Sequence, residues 1–293
     1  MFRSLLALLC LLLAASLQAP VAHASEPLTA LVSIAPQKYI LERIVGEDLN
    51  LEVSVLVKPG SDPHAYEPSP SQIRAASVAT CWFTIGVPFE DIWLERIKGA
   101  APDLVDISMI DGITRLPWNF AEEDKKDPHV WLSPMLVREI TDNVTRKLCR
   151  LAPEKAADFR RNAWAFMDEL EALDMELALR FKDFAPAKRV FLTFHPSWRY
   201  FAHSYELTEL SIEADGKEPG PKTLKNILEA AKTHGVRTIF VEPQFPKTAA
   251  QAIAQALDAE IVEADPLAED LPALYKDMAD KLVRAFTAMK DAN

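Results

Sequence analysis

The chain has 293 residues, and 43 acidic side chains face 32 basic ones for a formal charge of −11 at pH 7. That balance argues against nucleic acid and against anionic membrane surfaces as partners. About 270 residues remain once an amino-terminal leader is set aside, more than one compact core usually holds, so two lobes are expected.

Residues 1–24 have the pattern of a secretory leader. Arg3 gives a short positive start, Leu5 to Leu17 is apolar, and Ala22-His23-Ala24 is an A-x-A cleavage site. The apolar run is shorter than the roughly 20 residues that span a bilayer, and no second run is long enough. Cys10 sits inside the run without the small residue that a lipid-modified cysteine would need before it. The expectation is a soluble, monomeric, periplasmic protein released by cleavage after Ala24, with no stable membrane insertion.

Short apolar runs then alternate with helical patterns. The strand candidates in the first half are residues 29–35, 51–57, 80–86 and 103–108. In the second half they are 189–194, 207–212, 237–242 and 259–264. Helices lie between them, among them "PKTLKNILEAAKTHG", closed by Gly235, and "TAAQAIAQALDA". Strands alternating with helices predict parallel, helix-covered sheets, here in two sets.

Between the sets, residues 152–186 contain Pro153 in the first helical turn and no other proline or glycine before Pro186. Phe159, Ala163, Phe166, Leu170, Leu173 and Leu177 fall on one helical face. A helix of about 30 residues, roughly 45 Å long, is predicted to brace both lobes. The fold class is therefore α/β: an N-terminal lobe over 25–151, a linking helix over 152–186 and a C-terminal lobe over 187–293.

Two cysteines follow the leader, Cys81 in a core strand pattern and Cys149 in a helical one. Buried free thiols are the expected state rather than a disulfide.

Only six histidines are present, yet two share the frame Asp-Pro-His, in "GSDPHAYEPSP" (His64) and "KDPHVWLSP" (His129). The proline stiffens the segment and stops regular structure from running through it. His195 directly follows the strand "RVFLTF" and precedes Pro196, and Asp265 directly follows "EIVEA" and precedes Pro266. His64, His195 and Asp265 thus lie beyond carboxyl ends of strands, where open α/β sheets bind ligands. His203, within a helical run, and His234, in the last turn of a helix, have ordinary structural roles.

Three imidazoles and one carboxylate, two donors from each half, make a four-coordinate N3O set that suits Zn²⁺ and tolerates Mn²⁺. The second ring nitrogens of such ligands need acceptors, for which Asp62, Asp127 and Glu242 are candidates. A zinc hydrolase is the competing reading, but Asp265 fills the position a catalytic water would take. The chain also has no H-E-x-x-H, no G-x-S-x-G and no glycine-rich phosphate loop.

These segments resemble the zinc- and manganese-binding solute receptors of ABC importers. The resemblance runs over "GSDPHAYEPSPSQ", "DPHVWLSP", "FHPSWRYFAHSYEL", "SIEADGKEPGPKTLKNIL", "FVEPQFPKTAA" and "EADPL". It implies His64, His129, His195 and Asp265 as ligands in a cleft between two lobes bridged by one long helix. It also implies zinc or manganese as cargo and an inner-membrane permease with its ATPase as partner. Three nitrogen donors tilt the expectation toward zinc. A passive periplasmic metal buffer or an adhesin on the same fold is the further alternative. Two departures stand out: no histidine-rich insertion precedes His129, and Arg199 occupies a position where a small residue is usual. Both are read here as loop variation on a solvated surface.

Overall fold

A computed structural model describes residues 28–46, 51–118, 125–213, 219–245 and 247–291. The leader, with Cys10 and His23, lies outside the described residues. All eight predicted strands are present, each shorter than predicted and β1 beginning one residue earlier: β1 (Leu28–Val32), β2 (Leu51–Val55), β3 (Cys81–Thr84), β4 (Val105–Ser108), β5 (Val190–Thr193), β6 (Thr208–Ser211), β7 (Thr238–Val241) and β8 (Glu260–Glu263). They form two four-stranded sheets of the same order, β2-β1-β3-β4 and β6-β5-β7-β8, in which every pairing is parallel. The central strands β3, β5 and β7 are buried at every position, whereas the edge strand β2 alternates half-buried and exposed. Covered central strands read as unbroken apolar runs, which is why the sequence disclosed them.

The helices are α1 (Ala35–Val45), α2 (Pro70–Ala76), α3 (Pro88–Ala100), α4 (Pro134–Leu151), α5 (Ala156–Phe181), α6 (Arg199–Ser204), α7 (Pro221–Thr233), α8 (Lys247–Leu257) and α9 (Leu271–Asp291). None is long and apolar enough to cross a membrane. Six carry a proline in the first turn, where its missing N–H costs nothing. Gly235, at φ +69°, stops α7 as expected.

The linking helix α5 has 26 residues, preceded by a 3-10 turn at Pro153–Lys155. Its buried face is the predicted stripe Phe159, Ala163, Phe166, Leu170, Leu173 and Leu177, extended by Phe181. The stripe packs along α1 and α4 of the first lobe and α9, which also packs against β5, of the second. Phe166 sits edge-on to Tyr39 at 5.8 Å, and Phe181 sits edge-on to Phe286 at 6.2 Å. Burying a phenylalanine contributes roughly 1.5–3 kcal/mol, so the stripe ties both lobes to one rod. Lys38 of α1 also reaches Glu269 at 2.8 Å, an exposed ion pair across the lobes that contributes little.

Cys81 and Cys149 are both free thiols. Burial pushes the Cys81 thiol up to about 12, so it is an inert core residue.

Candidate metal centre

In each sheet the chain leaves the first strand for one neighbour and then crosses to the other side. Such a switch point opens a crevice at the strands' carboxyl ends. His195 occupies that place directly after β5. His64 follows β2 through the turn at Gly60, whose φ of +75° suits glycine. His129 stands at the head of a short 3-10 turn, Val130–Leu132, that leads into α4.

The repeated Asp-Pro-His frame has a geometric cause. Asp62 Oδ1 accepts the backbone N–H of His64 at 2.8 Å, and Asp127 Oδ1 accepts that of His129 at 2.9 Å. Each is an Asx turn across a proline, which fixes the histidine backbone two residues on. Asp265-Pro266-Leu267 repeats the device, with Asp265 Oδ1 accepting the Leu267 N–H at 3.0 Å.

The three imidazoles converge. One ring nitrogen of each of His64, His129 and His195 lies within 4.8 Å of the other two, and His64 Nε2 is 3.2 Å from His129 Nε2. Two nitrogens bound tetrahedrally at the usual Zn–N distance sit about 3.3 Å apart. His129 Nδ1 donates to Asp127 Oδ1 at 2.8 Å and His195 Nδ1 donates to Glu213 Oε2 at 2.7 Å, so both Nε2 lone pairs face the centre. His195 Nε2 is buried with no hydrogen-bond partner. A small void of about 10 Å³ lies among His64, His129, His195, Gln244 and Pro266. Beside it opens a cleft of about 530 Å³ that also touches His64 and His195.

Aromatic rings pack around the centre. Trp118 lies 5.5, 6.0 and 6.1 Å from the rings of His64, His129 and His195, and Phe245 stacks on His195 at 5.1 Å. Burial holds His64 well below the usual histidine value, helped by repulsion from His129, His195 and Lys125. Burial also lowers His129, against the opposing pull of Asp127. Both imidazoles are thus kept neutral, the form that binds a metal.

Three of the expected carboxylates make other hydrogen bonds in this structure. Asp62 holds the His64 backbone and does not reach its ring. Glu242, which burial keeps well above the usual carboxylate range, accepts the His195 backbone N–H at 3.3 Å and the Ser197 hydroxyl at 3.1 Å, again not the ring. Asp265 is turned aside: its Oδ1 accepts from Gln244 Nε2 at 2.8 Å, and the converging group among the described residues contains histidines only. The ring acceptor of His195 is Glu213, which sequence reasoning missed. It lies two residues beyond β6, so the strand-end rule that selected His195 and Asp265 would have found it. Replacing it with alanine frees the imidazole to rotate and should weaken zinc binding roughly 10- to 100-fold, with glutamine milder. Competition against a chromophoric chelator measures this, and an unchanged constant would remove Glu213 from the site.

Arg199 is not a solvated variant. Its side chain is 22 % exposed, and its guanidinium donates to the carbonyls of Pro117, at 2.6 Å, and Trp118.

Two parallel-sheet lobes braced by one rod-like helix, with inward-facing imidazoles in the cleft, make this a two-lobed binding protein of the helix-backboned kind. The family described as zinc-uptake complex component A, periplasmic, matches residues 31–289, and the chain belongs to it. A crystal structure of ZnuA superposes with a TM-score of 0.83 at 38% identity, covering 89% of this chain and 100% of that one. The manganese ABC transporter substrate-binding lipoprotein scaA of Streptococcus gordonii is 27% identical over 219 residues, 69% of this chain and 68% of its own. The zinc-binding protein AdcA of Streptococcus pyogenes serotype M3 is 26% identical over 249 residues, 76% of this chain and 47% of its own length.

Proposed function

We propose that this protein captures one divalent transition-metal ion, zinc in preference to manganese, and delivers it to an ABC permease and its ATPase. The supporting observation is the convergence of three imidazoles, His129 and His195 buried and His64 half-buried, on one small void between the lobes. His64, His129 and His195 supply the nitrogen donors, a set that favours zinc over the harder Mn²⁺. Asp265 completes the sphere by exchanging its bond from Gln244 for the ion. Four protein ligands leave no open position for a catalytic water, so the protein is a carrier and not a hydrolase. It acts as a monomer in the periplasm, exported by the cleaved leader 1–24.

The test is a titration of the metal-stripped mature chain with zinc and manganese, separately and together, with bound metal counted by elemental mass spectrometry. One equivalent of zinc that resists excess manganese is expected, and no stoichiometric binding would refute the reading. Asp265→Ala should weaken binding, and an unchanged constant would give the fourth position to another donor. Because His64 and His129 are held below 6.5, protons compete with zinc only at lower pH. Affinity should stay flat from pH 8 through pH 6.5 and fall below it. A decline centred above pH 6.5 would contradict the burial argument.

A further inference from the structure

Arg199 and Tyr200 open helix α6 in the second lobe, yet their polar atoms bond to the first. Arg199 spans the carbonyls of Pro117 and Trp118. The Tyr200 hydroxyl accepts the Leu116 N–H at 2.9 Å and donates to the Asp127 carbonyl at 2.9 Å. These four groups lie on two stretches of the first lobe, 116–118 and 125–127. The two stretches also bond to each other, Trp118 N–H to the Lys125 carbonyl at 2.6 Å and Asp127 N–H to the Leu116 carbonyl at 2.9 Å.

These stretches carry two parts of the metal centre. Trp118, 7 % exposed, roofs all three imidazoles. Asp127 orients His129 and is itself fully buried, and its second oxygen lacks a hydrogen-bond partner. The charged group facing that oxygen is Arg199, at 4.0 Å. One guanidinium from the second lobe therefore fixes the roof of the site and balances the carboxylate behind a ligand from the first.

We propose that Arg199 is a positioning residue that latches the lobes over the bound ion and sets its rate of release. The inference rests on the metal-carrier reading above. Separation of the lobes must break the latch, so the closed state loses it on the way to release. Capture begins before the latch forms, so its rate is insensitive to it. The guanidinium fork matters as well as the charge, because a lysine cannot span two carbonyls in a fixed plane.

The experiment measures zinc capture by stopped flow and zinc release into excess chelator, on the mature wild-type chain and on Arg199→Ala, Arg199→Lys and Tyr200→Phe. His203→Ala, exposed on the same helix, is the control. Arg199→Ala should release zinc roughly ten- to a hundredfold faster at an unchanged capture rate. Arg199→Lys, which keeps the charge near Asp127, should fall between it and the wild type, and His203→Ala should match the wild type. Release within twofold of wild type in both Arg199 variants would overturn the proposal, as would equal changes in capture and release. If Arg199→Ala fails to fold, Arg199→Lys decides alone: wild-type release in that variant overturns the latch. A wild-type chain that binds no zinc would refute the carrier reading itself, and the latch with it.

Discussion

His129→Ala is expected to abolish tight zinc binding, lowering affinity by well over the roughly 100-fold that loss of a supporting residue costs. His129 is 2 % exposed, its Nδ1 is committed to Asp127, and its Nε2 stands 3.2 Å from that of His64. Its removal deletes one of three nitrogen donors and strips Asp127 of its ring partner. The metal-free variant should also lose stability, because the buried Asp127 keeps the backbone N–H of residue 129 but loses its one side-chain donor. Isothermal titration against a competing chelator gives the constant, with His203→Ala as the neutral reference. Zinc bound at wild-type strength by His129→Ala would remove this residue from the coordination sphere.

Trp131→Ala should be the most damaging substitution for stability, at about 3–5 kcal/mol for a large buried aromatic. The ring is fully buried, lies 5.3 Å from His129, and donates from Nε1 to the Pro266 carbonyl of the second lobe at 2.8 Å. The Tyr275 hydroxyl of α9 donates back to the Trp131 carbonyl. Alanine would leave a cavity between the lobes and an unpartnered carbonyl beside Asp265. At roughly 2–4 °C per kcal/mol for a chain of this size, the melting temperature should drop by about 10 °C or more. Trp131→Phe keeps most of the volume and should recover most of the loss. A melting temperature within about 2 °C of wild type for the alanine variant would contradict this account of the interface.

The architecture was legible because its signals are local. Buried central strands such as "VFLT" and "TIFV" are continuous apolar runs, and the α5 stripe repeats at helical spacing over its whole length. Strand ends were overcalled because apolar residues continue past the end of the strand, as at Leu56 and Val57, whose N–H groups still bond to Val32 and Ser33. The three histidines were legible through proline neighbours and strand ends. The carboxylates were harder, since an aspartate serving a turn and one serving a ring share the same Asp-Pro-His letters. Asp62 and Asp127 differ only in where the histidine side chain then points. Glu213 and Trp118 had no local mark tying them to a histidine, because their partners lie 18 residues away for Glu213 and across the cleft for Trp118. The role of Arg199 depends on a contact 82 residues distant, which no local pattern reports.

The two sheets are each closed by strands from one contiguous stretch of chain, 28–108 and 190–263. Loop-closure entropy favours such self-contained units forming before contacts that join them. The imidazoles, by contrast, meet only after residues 64, 129 and 195 have been carried into register by the docking of finished halves. The ion therefore arrives last in the order of assembly, and its binding energy falls on the native side of the folding barrier. Zinc should slow unfolding while leaving refolding unhurried. A carrier built in this order folds without its cargo and surrenders it without coming apart.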